Sequence, residues 1–491
     1  MQMIGEEYNP KKEKNKKLMT IIIVLIVILI FICIGLFAAI TYFQGKELKL
    51  YIDGAKQSSS SLASDLFIVK DNKVYVSIQD MAGLVSYEYL KGEPKNNVED
   101  STKGFVRPQE EIREYGEITG FTAGSNKIYK TTLEQQTIYN YTTVNNEIIL
   151  NNGKIYASQE EIGKIFDMNF VYDSNENTIN IFTLKYLVDY YTAQITNYDY
   201  TKLSEDLANR KAILDGYLVG AKGDTEYGVK SIKNELVLSN KYTKIEYIPV
   251  KEQFLVTDPA NKVGLVDNKG NSKIQAIYDS LETLDDQTNL YIAKSNNKYG
   301  VVDENGKIII HLEFDKIGIN TEDFPNNDIK NPYLLFDNAI PVKQGEMWGM
   351  YDKTGVQILP LEYGDIGCRQ TTVNNKSVIN VAVLPKYEAI VVKKNDLYGI
   401  VNSKGEQLIA PYLTFVYSEQ SNGITEDYME YIGQKLKVSD YLKPVAQTKA
   451  GTQENEQTNT TNTISNNTVQ TNTVVNNATG TNGNVASNVA Q

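Results

Sequence analysis

The sequence predicts a mainly β protein with an α+β portion ahead of it: an N-terminal transmembrane helix, an α+β domain of two related halves, then an array of repeated β-hairpin units, propeller-like or solenoid-like. Three observations predict this. No charged residue occurs from Leu18 to Phe43. A strand–helix–strand pattern appears twice, at residues 73–92 and 154–182. From residue 215 onward, an aromatic–Gly pair followed by a turn ending in Gly recurs again and again.

The uncharged run reads "LMTIIIVLIVILIFICIGLFAAITYF" and would extend about 39 Å as a helix, enough to cross a bilayer with some tilt. It is too long for the apolar part of an ordinary signal peptide. Residues 1–17 carry Lys11, Lys12, Lys14, Lys16 and Lys17, so the positive-inside rule keeps that segment in the cytoplasm and puts the bulk of the chain outside. The lipid bilayer is thus an expected partner, through Leu18–Phe43, and the expected location is the cell membrane, as a single-pass protein.

Residues 46–183 read as the α+β domain. In its second half Ser158 and Glu161 have capping-box spacing, and Ile162, Ile165 and Phe166 give the helix an apolar face. "FVYDSNENTINIF" then reads as a hairpin whose turn is supplied by Asp, Ser and Asn. Residues 93–109 are polar and read as an irregular loop. The motif from Phe166 to Ile181 resembles the stalk domain named after the N-terminal domain of copper amine oxidases. That resemblance implies a spacer or binding stalk and brings no copper with it. Residues 184–214 have helical periodicity and read as a connector.

Residues 215–445 form the array. Its marker glycines are Gly228, Gly264, Gly300, Gly349 and Gly399, the last two following insertions near residues 321–335 and 369–379. Four of the five follow an aromatic, Tyr227, Tyr299, Trp348 or Tyr398, and Val263 takes that place once. Four of the five phrases close with Asp or Asn and then Gly three residues on, at Asp267–Gly270, Asp303–Gly306, Asp352–Gly355 and Asn402–Gly405. Asp or Asn at the first turn position bonds the backbone, and Gly at the fourth accepts a positive φ. A glycine inside a strand calls for a bulge or a close backbone approach. Units of this size cannot bury themselves singly, so they stack. The pattern of aromatic–Gly, strand, D-x-x-G, strand, then "Y/F-D/G-x-I" resembles the WG (KWG) repeat, which implies an all-β array and binding or structural work, with no shared reaction. Tyr227, Tyr299, Trp348 and Tyr398 are the candidate ligand-contact or repeat-structural aromatics. Residues 448–491 are rich in Asn and Thr, lack aromatics and proline, and read as a disordered tail.

Chemistry is sparse. The chain has 61 Asp and Glu against 49 Lys and Arg, a net charge of −12, and no dense basic patch beyond its first residues, which argues against nucleic acid. The single histidine, His311, lies in an apolar strand, so a His-based triad is not expected. Of the two cysteines, Cys33 lies within the apolar run and Cys368 far beyond it, so a disulfide between them is not expected, and neither is a metal site or a cofactor. The favoured expectation is an extracytoplasmic binding or scaffold protein of the cell envelope, not an enzyme, with cell-wall polysaccharide or an envelope protein as ligand. The alternatives are an envelope hydrolase of glycosidase type using paired carboxylates, and a purely structural surface spacer.

Overall fold

The computed structural model describes residues 48–445, except 59–61, 71–72, 93–99, 132–140, 174, 326, 328, 371, 374–375 and 422–423. The expected cytoplasmic segment, transmembrane helix and Asn/Thr tail lie outside the described residues. Among the described residues no helix is long and apolar enough to cross a membrane. The described chain is mainly β.

Residues 48–183 build two sheets around two short helices. The larger sheet has eight antiparallel strands, and the smaller has four, including a parallel pair in which Leu50 lies beside Ile179. Both expected strand–helix–strand units are present: Lys73–Ser77, Ile78–Leu84 and Tyr87–Lys91, then Lys154–Ser158, Gln159–Phe166 and Met168–Asp173. Their first strands pair antiparallel, Tyr156 against Ser77. Leu50, Val76, Ile78, Met81, Val106, Ile162, Ile165 and Ile181 meet in one buried core.

Two local expectations need correction. Residues 103–108, expected as loop, form the strand Lys103–Pro108 because Gly104, Val106 and Pro108 alternate onto the buried face. The capping box does not close either. Ser158 caps no backbone N–H; its hydroxyl donates to the buried Glu161 carboxylate, which also accepts from the Asn146 side chain at 3.1 Å. The sheet has captured the glutamate that would have turned back to the helix start.

The array is a run of six antiparallel sheets. The first four have four strands each; the third, for example, consists of Ser280–Thr283, Leu290–Ser295, Lys298–Asp303 and Ile308–Phe314, and the fifth adds the short strand Val383–Leu384 to a path of four. Successive sheets of this order are the blades of a propeller-like repeat fold. The sixth has three strands, Phe415–Ser421, Ile424–Tyr431 and Gln434–Lys437. The "Y/F-D/G-x-I" phrase does not end a unit, as the sequence suggested. The chain turns a corner there, and Ser280–Thr283, Lys316–Ile317 and Asp365–Ile366 become the first strands of the next blades. The first blade likewise takes its first strand, Lys202–Leu203, from within the stretch read as connector. Helix Leu207–Lys211 lies between that strand and the second. Both insertions fall between first and second strands, in the fourth and fifth blades.

Candidate functional site

The four candidate aromatics occupy one equivalent place, the third strand of blades one, three, four and five. Each is packed against a blade core; Trp348 is only 7% exposed. In three blades a lysine from the neighbouring second strand lies over the ring: Lys294 at 5.1 Å from the Tyr299 centroid, Lys343 at 5.9 Å from Trp348, Lys393 at 5.8 Å from Tyr398. This is cation–π geometry, made possible because ring and lysine are direct cross-strand partners. Each ring packs in a different core, and those cores join neighbouring blades: Trp348 lies with Ile390 and Val392 of blade five, and Tyr299 with Ile340 and Val342 of blade four.

The glycine after each ring faces a bulge in the fourth strand. Tyr299 pairs with Phe314 but Val301 pairs with Ile310, so the fourth strand holds extra residues opposite Gly300. A β-carbon on Gly300 would stand 2.5 Å from the Ile310 carbonyl oxygen; at Gly228, Gly264, Gly349 and Gly399 the corresponding distances are 2.7, 2.6, 2.8 and 3.0 Å. No side chain fits there.

The turn aspartates are also spent on structure. Asp303 accepts from the Asn305 and Lys307 amides at 2.9 Å each, and Asp267, Asp352 and Asn402 repeat the pattern. At two corners an aspartate joins neighbouring blades. Asp279 accepts from Lys262 (2.6 Å) of the second blade and from the Asn296 amide (2.8 Å) of the third. Asp315 does the same with Lys298 (2.6 Å) and the Gly345 amide (2.8 Å). The bond to Lys262 is the main reason that the Asp279 carboxyl lies below the usual aspartate range, and the bond to Lys298 is the main reason for Asp315.

With the motif residues built into blades, the chemistry left on display gathers at the first strands of blades two and three. A cleft of about 650 Å³ is lined there by Lys244, Glu246, Ser280, Glu282, Asp286 and Tyr333, among others. The first three strand positions of residues 244–248 alternate exposed, buried and half-buried, so Ile245 points into the core while Lys244 and Glu246 stay accessible and pair at 3.1 Å. Burial pushes the Asp286 carboxyl up, with Lys251 pulling the other way. Tyr247, also in the lining, donates to Asp215 at 2.7 Å. The volume suits a small molecule or a short stretch of polymer, and the polar lining offers carboxylates and hydroxyls to a hydroxyl-rich or cationic ligand. Sequence reading missed this site because its residues carry no motif; only the stacking of blades collects them. His311 sits away from it, exposed on the outermost strand of the third blade. Cys368 is buried and free, its thiol raised by burial. No group of His, Cys, Asp and Glu suited to a metal occurs among the described residues.

A second cluster lies where the α+β domain meets the array. Asp167, in the left-handed conformation after helix Gln159–Phe166, receives Lys130 at 2.9 Å and Lys211 at 3.1 Å. Lys211 also pairs with Glu117. Asp167 and Lys211 are nearly fully buried. Burial works against the charge on Lys211, but Asp167 and Glu117 outweigh it and hold its pKa above the ordinary lysine value. Burial also opposes the charge on Asp167, and the two lysines more than compensate, leaving its carboxyl below the usual range. Lys130 shares one carboxylate with a rival cation, so burial wins and its pKa falls. Removing one member of such a buried group leaves a charge uncompensated, which costs about 3–5 kcal/mol.

The chain was compared with known proteins. No curated protein gives a match. Among solved structures, a eukaryotic initiation factor is similar at 8% identity and TM-score 0.21, covering 47% of this chain and 73% of that one. The WD40 β-propeller domain of Doa1 is similar at 14% identity and TM-score 0.20, covering 46% and 79%. Among family patterns, the WG containing repeat matches residues 264–299 and 299–324, so the array carries WG-type repeats across its second and third blades and into the fourth.

Proposed function

We propose that this chain is a membrane-anchored, extracytoplasmic binding or scaffold protein of the cell envelope, that its α+β domain is a stalk of the copper amine oxidase N-terminal type, and that its array binds cell-wall polysaccharide or an envelope protein. The observation that carries the reading is the use made of the repeated motif. Ring, glycine, turn aspartate and corner aspartate all go into holding blades, so the repeat supplies a frame and the cleft at the first strands of blades two and three is free to bind. The uncharged run from Leu18 to Phe43 supports the anchor, and the lysines before it support the orientation.

Retention on insoluble cell wall tests the reading. Purified chain should sediment with wall material, and Glu282→Ala together with Tyr333→Ala should reduce retention severalfold. Wild-type protein left entirely in the supernatant would sink the polysaccharide form of the proposal. Protease treatment of intact cells tests the topology, since an array beyond the bilayer must be cut.

A second reading has one observation in its favour. Asp286, whose carboxyl burial pushes up, shares the cleft with Glu246 and Glu282, and a glycosidase uses a raised carboxylic acid beside a second carboxyl group. Release of reducing sugar from wall fragments, abolished by Asp286→Asn, would favour it.

A further inference from the structure

We propose that the buried group Lys130–Asp167–Lys211–Glu117 is a lock that makes the α+β domain and the array one rigid body, with Lys211 as its bolt. Three of the four charges belong to the α+β domain; Lys211 alone comes from the array side, at the end of helix Leu207–Lys211 between the first and second strands of blade one. That single ammonium answers two carboxylates on the other partner. Without it, the α+β domain holds the buried Asp167 and the part-buried Glu117 against the part-buried Lys130 only, an excess of one negative charge.

Other contacts also cross this junction: Tyr115 and Phe182 pack against the apolar cluster of Leu184, Leu187, Ile213 and Leu218, which carries no charge to answer Asp167 and Glu117. The Arg210 guanidinium lies 4.9 Å from the Tyr115 ring centroid, the Lys330 ammonium 5.7 Å from that of Tyr129, and the exposed Thr143 hydroxyl bonds Gln287 at 3.1 Å. The exposed Thr143–Gln287 bond is weak by itself, whereas the Arg210 guanidinium is partly buried. Their placement is informative nonetheless. Arg210, Lys211, Gln287 and Lys330 all lie between the first and second strands of their blades, in blades one, three and four. In an antiparallel blade those connections share one end, and the hairpins between second and third strands lie at the opposite end. The lock therefore fixes which end of the array is turned toward the α+β domain, and leaves the hairpin end facing away.

Hydrogen exchange on the full chain tests this. Lys211→Met keeps length and apolar stem while removing the charge. Exchange of amides in residues 207–215 and 167–168 should rise at least tenfold, while amides of blades three to five keep wild-type rates. Adding Glu117→Gln restores neutrality, since Lys130 and Asp167 then balance, but leaves no ammonium across the junction, so it should recover only part of the lost protection. Lys222→Met, which breaks the exposed pair with Asp199, should change nothing at the junction. Unchanged junction exchange in Lys211→Met would overturn the proposal. So would a rise spread through all blades, which would make Lys211 a general folding residue, or full recovery of wild-type exchange in the double variant, which would show that the junction holds without the bridging ammonium.

Discussion

Blade five and the sixth sheet are neighbours built from similar hairpins, yet the path of one runs through four strands, with the short Val383–Leu384 beside it, and that of the other through three. In blade five the hairpin turns through Asn395–Asp396, both with positive φ, and Tyr398–Gly399 follow. In the sixth sheet the hairpin turns through Ile432–Gly433, again both positive, and the matching positions are Lys435 and Leu436. Leu436 points into the last core and pairs with Met429. Gly399 instead leaves room for the bulge of the fourth strand, where Ile409 and Pro411 come within 3.0 Å of a would-be β-carbon. The comparison teaches that the marker glycine is the permit for a fourth strand. Where a leucine stands, no fourth strand follows among the described residues. Lys435, paired with Glu419 at 2.6 Å and set 3.6 Å from the Tyr428 ring centroid, then puts charge on the open edge, as edge strands require.

The most severe way to break this comparison is to write the sixth sheet's residue into blade five. Gly399→Leu should destabilise the array by about 3 kcal/mol or more through overpacking against backbone. Denaturant unfolding followed by the fluorescence of Trp348, the single and buried tryptophan, measures it. The reverse change, Leu436→Gly, should create no fourth strand and only weaken the last core; gain of a protected strand after residue 437 would contradict the permit idea.

A milder test removes the turn that the sixth sheet lacks. Asp352 accepts from the Thr354 and Val356 amides and from the Thr354 hydroxyl, so Asp352→Ala should cost about 1–2 kcal/mol. Blade five sharpens this further, because its turn uses Asn402, which cannot ionise. Burial opposes the charge on Asp267 and Asp352, but turn hydrogen bonds outweigh it and lower both pKa values. A lowered carboxyl stabilises the fold above its unfolded pKa, near 3.9, and that contribution fades as pH falls through the folded value. Amides of blades two and four should therefore lose protection below about pH 4 before those of blade five. Asp352→Asn should remove the difference for blade four.

The smallest effect is a gain. Ile432 is a β-branched residue in the left-handed region and is 77% exposed, so it is strained and packs little. Ile432→Asn creates the preferred Asn-Gly hairpin and should stabilise the sixth sheet by roughly 1 kcal/mol. A loss of stability would mean that Ile432 is held by contacts its exposure conceals.

Much of the array was legible. Gly300, Asp303 and Gly306 each announce a backbone conformation that other residues resist, and those local rules hold wherever the phrase is written. The unit boundary was not legible, because "F-D-K-I" continues the strand pattern across the corner at Asp315, and only pairing decides that Lys316–Ile317 belongs to the next blade. The cleft was illegible for a related reason. Glu246, Glu282 and Asp286 are ordinary acids among 61, and nothing in their spacing sets them apart. The strand Lys103–Pro108 was hidden by its charged and proline residues, which sit on a sheet whose neighbours supply the burial.

By itself the sequence determined where the chain turns, which strands are punctuated by glycine and that the repeats must stack, because φ preferences and side-chain alternation act over a few residues. Tertiary structure decided the rest: that each blade borrows its first strand from the preceding phrase, that the aromatic rings pack in cores joining neighbouring blades, and that Lys211 meets Asp167 and Glu117 across a domain junction. Those outcomes depend on which backbone edges and charges meet after collapse. Pairing energy between distant segments is not written in either segment alone.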